Sequence, residues 1–242
     1  MTDGLAAAPS PGPWQHASVT EVREEAPGAK TFRLALPTPV AHLPGQHYVV
    51  RLTAPDGYTA QRSYSVASPP EDLGAIELTV ERMPDGEVSG FLHDGVEVGD
   101  ELEVRGPIGG WFVWRGDTPA LLVGGGSGLV PLMAMLRHAR RIGREDLVRL
   151  VVSVRKPADL YYAAELTGPD ATGVTLVHTR VAPPGSLRPA GHLSAGDLPP
   201  VAPGTVAYVC GSDGFADAAT KLLTEAGVPT DHIRVERFGA TG

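Results

Sequence analysis

Residues 120–132 read Ala-Leu-Leu-Val-Gly-Gly-Gly-Ser-Gly-Leu-Val-Pro-Leu. The apolar run at the start has the length of a buried strand, and the apolar spacing that continues through Leu136 is typical of a helix. The glycines between them favour a sharp turn with free amides at the N-terminus of that helix, where the helix dipole attracts an anion. We therefore predict a diphosphate-binding turn at the end of a parallel strand.

Three other interpretations of this stretch compete with that prediction. No charged residue occurs from Pro119 to Leu136, as in a membrane span, but the four glycines and two prolines would leave backbone groups unpaired in lipid. A phosphate loop of the nucleotide-hydrolase kind is disfavoured because no lysine follows the glycines. A plain strand, turn and helix without a ligand stays open, since glycine-rich turns are common.

Composition limits the class of protein. A length of 242 residues suits one large domain or two smaller ones, and the formal charge of −8 disfavours nucleic acid as a partner. The single cysteine excludes an internal disulfide or a thiolate metal cluster, and the sequence shows no secretory signal, so we expect a cytoplasmic protein. The eight histidines show no metal-ligand spacing, and residues 1–14 are expected to form a disordered leader.

The first half of the chain alternates strand-like runs with turn residues. The runs are 16–23, 30–36, 46–53, 61–68, 75–83 and 100–105. Only residues 89–94 have a helical pattern among them. Six strands at this spacing predict a small closed antiparallel barrel.

The rhythm changes near residues 114–119, after which strands alternate with helices. Strands are predicted at 120–123, 147–154, 174–178, 206–209 and 233–235, and helices at 129–142 and 215–226. This alternation is typical of a parallel, doubly wound sheet. We therefore predict a two-domain α+β protein, with a six-stranded antiparallel β-barrel at 15–115 and an α/β parallel-sheet domain at 116–242.

Six short motifs follow one another in a fixed order. Arg62-Ser63-Tyr64-Ser65 places an arginine, an aromatic and a small hydroxyl on alternating positions of a strand, where they could bind a phosphate, stack on a ring and hydrogen-bond its edge. Gly86-Glu87-Val88-Ser89, Gly106-Pro107-Ile108-Gly109 and the glycine turn come next. Cys210-Gly211 and Glu236-Arg237-Phe238-Gly239 complete the series. In this order the sequence resembles the ferredoxin–NADP reductase superfamily of flavoproteins, over residues 15–239.

The resemblance implies an FAD site in the first half. Arg62 would pair with the flavin pyrophosphate, Tyr64 would lie against the isoalloxazine ring, and Ser65 would hydrogen-bond near its reactive nitrogen. A second pyrophosphate anchor at a helix N-terminus favours FAD over FMN. The residues expected to bind FAD are Arg62, Ser63, Tyr64, Ser65, Gly86, Glu87, Val88, Ser89 and Phe238.

The resemblance also implies a nicotinamide dinucleotide site in the second half. Cys210 would position the nicotinamide and not act as a nucleophile, and Glu236 matches the family's C-terminal acid near the flavin. The catalytic residues it implies are Ser65, Cys210 and Glu236. The residues expected to bind NAD(P) are Gly124, Gly125, Gly126, Ser127, Gly128, Pro131, Arg155, Cys210 and Gly211.

Coenzyme choice rests on Arg155 and Lys156, which follow the second α/β strand and favour the 2′-phosphate of NADPH, whereas nearby Asp159 favours NADH. The family's role implies hydride transfer from NAD(P)H to FAD, then single electrons to a separate ferredoxin, haem or molybdenum protein. A flavin reductase that uses flavin as its substrate, or a non-catalytic flavin-binding regulatory subunit, are the alternatives. A group of four arginines is interpreted as the solvated face of a helix or as a basic patch for an acidic ferredoxin. They are Arg137, Arg140, Arg141 and Arg144.

Overall fold

The computed structural model describes residues 12–238. Its first half is a sheet of six antiparallel strands with the order β4-β3-β6-β1-β2-β5. The strands are β1 (Gln15–Ala26), β2 (Ala29–Ala35), β3 (His47–Thr53), β4 (Thr59–Ser65), β5 (Ala75–Glu81) and β6 (Glu101–Ile108). In β2 and β6 buried residues largely alternate with more exposed ones, as expected for strands with one face in a core, whereas β5 is buried along nearly its whole length.

The two edge strands of this sheet come together and close the barrel. Just after β4, Val66 bridges Leu78 of β5, and the Ala67 amide donates a hydrogen bond to the Glu77 carbonyl at 2.8 Å. The interior is filled by large side chains with little or no exposure, among them Tyr48 and Phe32. The helix α1 (Glu87–Gly95) contacts β4 and β5 at this closure.

The second half is a sheet of five parallel strands with the order β11-β10-β7-β8-β9. Its strands are β7 (Ala120–Gly125), β8 (Val148–Val154), β9 (Val174–His178), β10 (Val206–Gly211) and β11 (Ile233–Arg237). Its helices are α2 (Leu129–Arg141), α3 (Ala163–Thr167) and α4 (Asp213–Glu225). Because all strands run the same way, the ends that carry the predicted coenzyme residues lie along one edge.

The two faces of the parallel sheet pack against different partners. Alternate residues such as Leu121 and Val123 pack with α4, whereas Leu122, Tyr208 and Cys210 belong to a core that includes α2 and reaches the barrel. The segment between the sheets contributes Phe112 and Trp114 to that second core. The barrel and the parallel sheet are therefore joined by a continuous apolar core.

The predicted fold class is confirmed: both sheets have the expected strand number and direction. Helix α1 is longer than predicted, and α3 was not predicted because five residues are too short to show helical periodicity. Most of the expected leader lies outside the described residues, although Trp14 stacks beneath the Arg51 guanidinium at 4.1 Å. The domain boundary at 115/116 stays a prediction.

Candidate functional site

Strand β4 carries the first group of predicted FAD residues. Arg62 lies opposite Val50 and Tyr64 opposite Tyr48, so these two side chains share one face of the strand. Ser65 points to the other face, because successive residues of a strand alternate. The Ser65 side chain is buried. Tyr64 is also largely enclosed, and this burial raises the pKa of its phenol to about 12, so the phenol stays neutral.

A second group of predicted FAD residues lies at the N-terminus of α1, beside β4. Gly86 precedes the helix and no side chain of the described residues caps it, so the first-turn amides of Glu87, Val88 and Ser89 are free to bind an anion. The Ser89 hydroxyl has a different role from these amides. It accepts a hydrogen bond from the Met83 amide at 3.1 Å and so holds the preceding loop in place.

Arg62 belongs to β4, the strand that contacts α1. Its Nη1 donates to the Gln61 carbonyl at 2.8 Å, and it has no carboxylate partner among residues 12–238. The Tyr58 hydroxyl donates to Glu87 at 3.1 Å and so connects the segment before β4 to α1. A free guanidinium and uncapped amides side by side are the donor set that a pyrophosphate requires, and this part of the chain therefore fits FAD.

The glycine turn between β7 and α2 is shaped for close approach. Gly126 has φ of +58°, a left-handed conformation that favours glycine, and a Cβ placed there would meet nothing within 4 Å. No side chain caps the 126–128 turn or α2 within the described part of the chain, and the Leu129 amide donates back to the Gly126 and Ser127 carbonyls, so the amides offered to a ligand are those of the turn itself. Pro131, in the first turn, removes an N–H that would have no intrahelical partner. These features fit a dinucleotide phosphate.

Gly128 brings this turn directly onto the end of β10. A Cβ at Gly128 would overlap the Cys210 carbonyl and would lie 2.6 Å from the Gly211 amide nitrogen. Gly211 is equally confined, since a Cβ there would lie 2.6 Å from the Phe215 ring. The two glycine motifs found in the sequence are therefore in direct contact at the ends of neighbouring strands. In the sequence, Gly128 and Cys210 are 82 positions apart.

Cys210 and Glu236 lie opposite each other on β10 and β11. Burial raises the pKa of the Cys210 thiol well above its usual value, and the nearby Glu236 raises it further. Burial also raises the pKa of the Glu236 carboxyl, to about 7. A neutral thiol is a poor nucleophile, which supports a positioning role for Cys210, and Glu236 can hold a proton near neutral pH.

The structure brings the barrel motif and the sheet motif to one seam. Ser65 ends β4, and the next residue, Val66, bridges Leu78 of β5. Strand β5 lies beside the turn at residues 126–128, which packs on Cys210. Phe238 continues from β11 along the same edge, where its amide donates to the Gly211 carbonyl at 2.9 Å.

Arg155 lies farther along the same edge, at the end of β8 on the opposite side of β7 from Cys210. It is exposed and has no carboxylate partner among residues 12–238. Lys156 lies 3.7 Å from Asp159, so the acid that favoured NADH is paired with a neighbouring cation. The Arg155 carbonyl accepts a hydrogen bond from the Arg180 amide at 2.9 Å.

The four arginines of α2 and its C-terminal end do not form a free basic patch. Each lies near a carboxylate within the described part of the chain, so docking of an acidic ferredoxin on this patch is not supported. Arg137 is also not solvated, since its side chain is 13% exposed and it binds Glu77 of the barrel. The sequence analysis did not predict this role. Arg137 follows the buried Val130 and Met133 at helical spacing, and this spacing could have indicated that its side chain lies on the buried face of α2.

Residues 12–238 contain neither a membrane-spanning helix nor a cluster of metal-binding side chains. None of their helices combines the length and the apolar character that crossing a membrane requires. In the same residues, no group of three or more His, Cys, Asp or Glu side chains could hold a metal ion.

Comparison with known proteins identifies both halves. Residues 16–113 match the oxidoreductase FAD-binding domain family, and residues 122–221 match the oxidoreductase NAD-binding domain family. The chain is 31% identical over 234 residues to the ferredoxin–NAD(P)(+) reductase component of the naphthalene 1,2-dioxygenase/salicylate 5-hydroxylase systems of Ralstonia sp., covering 93% of this chain and 69% of that one. It is 30% identical over 238 residues to the propane 2-monooxygenase reductase component of Rhodococcus jostii, covering 91% and 62%.

The fold is shared with solved structures. A cytochrome P450 reductase from Amycolatopsis superimposes with a TM-score of 0.74 at 29% identity, covering 93% of this chain and 70% of that one. The fold and the two matched families together define a two-domain flavoprotein with an oxidoreductase FAD-binding domain followed by an oxidoreductase NAD-binding domain. The chain belongs to the ferredoxin–NADP reductase superfamily, which confirms the sequence resemblance. It spans 62% and 69% of the length of the two curated relatives described above.

Proposed function

We propose that the protein is the reductase component of a redox pair, which oxidises NAD(P)H through FAD and passes single electrons to a separate acceptor. The observation that carries this proposal is the seam at which Ser65 of the barrel meets the Cys210 region of the parallel sheet. The related chains named as reductase components of oxygenase systems support it. We also propose a cytoplasmic location, because the sequence has a single cysteine and this cysteine is buried.

The chain's own residues divide the work between binding and orientation. Arg62 and the α1 amides hold the flavin pyrophosphate, and Tyr64 and Ser65 orient the ring. The turn at 126–128 holds the coenzyme phosphates, and Cys210 limits where the nicotinamide lies. FAD, when bound, supplies the chemistry of accepting a hydride and releasing two electrons one at a time. Glu236 holds a proton at the edge of this seam.

The acceptor group is supplied from outside this sequence. Four thiolates hold a [2Fe–2S] cluster of the plant type, and the 242 residues contain one cysteine. The relatives named as reductase components of oxygenase systems support a separate acceptor, and we propose a ferredoxin, haem protein or molybdenum enzyme for this role. Electron transfer to that partner is then a step between proteins, with a rate that depends on docking.

The decisive experiment is an anaerobic spectrum of the purified chain, titrated with NADPH or NADH and then with an oxidised ferredoxin. Yellow protein that bleaches with coenzyme and regains its colour with ferredoxin supports the reductase. A colourless protein with saturable flavin kinetics would identify a flavin reductase. Bound flavin that neither coenzyme bleaches would identify a regulatory subunit.

We expect Ser65→Ala to slow reduction of bound FAD by about fivefold to tenfold, because one hydrogen bond to the flavin edge contributes about 1 kcal/mol. FAD should stay bound, since Arg62 and α1 keep the pyrophosphate. Stopped-flow absorbance gives the rate, and Thr59→Ala, which removes an exposed hydroxyl from the same strand, is the control. An unchanged reduction rate in Ser65→Ala contradicts the role.

We expect Arg155→Gln to lower kcat/KM for NADPH by about tenfold and to leave the value for NADH within twofold, since the 2′-phosphate loses a charged partner at the end of β8. Arg149→Gln is matched in charge and lies in β8, the strand that Arg155 directly follows, with its guanidinium directed to carbonyls at 145–148. Equal losses with both coenzymes in Arg155→Gln would show that this side chain does not select the coenzyme.

A further inference from the structure

Arg137 occupies an unusual place on helix α2. It follows the buried Met133 by four residues and Val130 by seven, so helical spacing puts it on the face that packs into the core. Its side chain is 13% exposed. A guanidinium this deeply placed requires charged or carbonyl partners, because an unpaired buried charge is strongly destabilising.

The partners of Arg137 lie in different parts of the molecule. Nη1 donates to Glu77 of β5 at 2.9 Å and to the Ala67 carbonyl at 3.0 Å, both in the barrel. Nε donates to Glu165 of α3 at 3.1 Å. One guanidinium therefore joins two helices of the parallel-sheet half to the closing strands of the barrel.

Tyr162 makes a second crossing at the same place. The centre of the Tyr162 ring lies 4.9 Å from the guanidinium carbon of Arg137. The Tyr162 hydroxyl lies 2.5 Å from Oγ1 of Thr79 in β5. Its amide donates to Glu25 of β1 at 2.8 Å. Tyr162 has φ of +54°, a conformation that a non-glycine residue adopts when surrounding contacts require it.

The barrel side of this contact is itself firmly held. Glu77 also accepts a hydrogen bond from Arg33 at 3.3 Å, and the Thr31 hydroxyl lies 2.7 Å from Thr79 and 2.9 Å from Glu25. These contacts tie β1, β2 and β5 together beneath Tyr162. Arg137 and Tyr162 therefore contact a part of the barrel that is held rigidly. We name these two side chains the interdomain clamp.

The clamp lies between the two halves of the predicted site. Ala67, which binds Arg137, is two residues beyond Ser65 in the chain. Helix α2 begins at the glycine turn, and Arg137 is eight residues beyond Leu129, about 12 Å along a rigid helix. Any shift of α2 against the barrel would therefore move the coenzyme turn relative to the flavin residues of β4.

We propose that Arg137 and Tyr162 are positioning residues that fix the separation of nicotinamide and flavin for hydride transfer. This inference rests on the proposed function. Neither side chain belongs to the predicted FAD or coenzyme residues, and both act through the placement of α2. Hydride transfer is sensitive to displacements of about 1 Å, so a loosened clamp lowers the rate of transfer more than it lowers coenzyme affinity.

Two clamp variants and one matched control test the proposal. Arg137→Gln removes the charge, whereas Tyr162→Phe removes one hydroxyl and keeps the ring beneath the guanidinium. The control is Arg51→Gln, because Arg51 also pairs with a carboxylate, Glu103, and also stacks on an aromatic ring, Trp14, but within the barrel half alone. The control therefore shows the effect of losing an arginine–carboxylate contact that does not join the two halves.

In the FAD-loaded protein, both clamp variants should lower the limiting rate of flavin reduction by about tenfold and leave the Kd for the coenzyme within twofold. The long-wavelength absorbance of nicotinamide stacked on flavin should weaken in the same variants. Arg51→Gln should change neither. Limiting rates within twofold of wild type in both clamp variants, or an equal loss in Arg51→Gln, would overturn the proposal.

A second measurement needs neither FAD nor activity. In the FAD-free chain, hydrogen exchange of β5 and α3 amides should accelerate at least tenfold in the clamp variants and not in the control. Unchanged exchange at both elements would overturn the proposal. If the wild-type protein is not reduced by either coenzyme, the proposed function fails, and exchange still decides whether the clamp holds the two halves together.

Discussion

Replacing Gly128 by alanine should lower kcat/KM for NAD(P)H by about 100-fold. Gly128 has an ordinary helical backbone conformation, so its requirement for glycine is one of space. The added methyl would overlap the Cys210 carbonyl and lie 2.6 Å from the Gly211 nitrogen, and backbone atoms of a central strand yield little. The turn must then move away from β10, and a displacement of about 1 Å at a reacting site costs about two orders of magnitude.

The same substitution should also reduce the free energy of unfolding by about 1–3 kcal/mol, the usual effect of overpacking. Gly214→Ala is the control, since Gly214 lies in α4 of the same half and a Cβ there meets nothing within 4 Å. That variant should be neutral or slightly more stable, because alanine favours a helix. Steady-state kinetics and chemical denaturation test both variants, and a fully active Gly128→Ala protein would contradict the contact.

Glu236→Gln should become more stable relative to wild type as the pH rises. Burial raises the pKa of Glu236 to about 7 from an ordinary 4.5. A raised carboxyl pKa means that the fold prefers the protonated form, so its favourable contribution is complete below the ordinary pKa and is lost as the pH rises through about 7. Glutamine stays neutral and avoids that loss.

The stability difference between variant and wild type should therefore grow by about 2–3 kcal/mol between pH 5 and pH 9, at about 1.4 kcal/mol for each pKa unit. Urea denaturation of the FAD-free chain at each pH gives this quantity. Glu225→Gln, an exposed change in α4 beside Lys221, should show a small and nearly constant difference. A difference for Glu236→Gln that stays constant across this range would show that the carboxyl ionises freely in the folded protein.

Local pattern was sufficient to predict most of the fold. The strand at 174–178 has the predicted bounds, and the glycine turn after Val123 lies at the end of a buried parallel strand as predicted. Both depend on hydrophobic runs and breakers that are adjacent in sequence. Helix α3 escaped prediction because it is five residues long and follows Tyr162, whose left-handed backbone leaves no signal in the sequence.

The residues of the candidate site stay a prediction, and several of their contacts lay outside what the sequence could show. The order of motifs selected Arg62 and Cys210, but the residues opposite Tyr64 and Ser65 on β3 are known only from the strand register of the structure. Arg137 was interpreted as a surface residue because its carboxylate partner, Glu77, is 60 residues away in the chain. A pairing of this kind depends on how two sheets dock, which local periodicity does not encode.

Because the Cys210 thiol is buried, dyes can be attached to introduced cysteines for distance measurements by fluorescence energy transfer. A buried thiol with a raised pKa reacts slowly with maleimide dyes, and the sequence offers them no other cysteine. Leu73, 78% exposed beside the barrel, and Leu187, fully exposed beyond β9, are suitable points for introduced cysteines. Fluorophores attached to Leu73→Cys and Leu187→Cys would report the spacing of the two halves by energy transfer, without first removing a native attachment point.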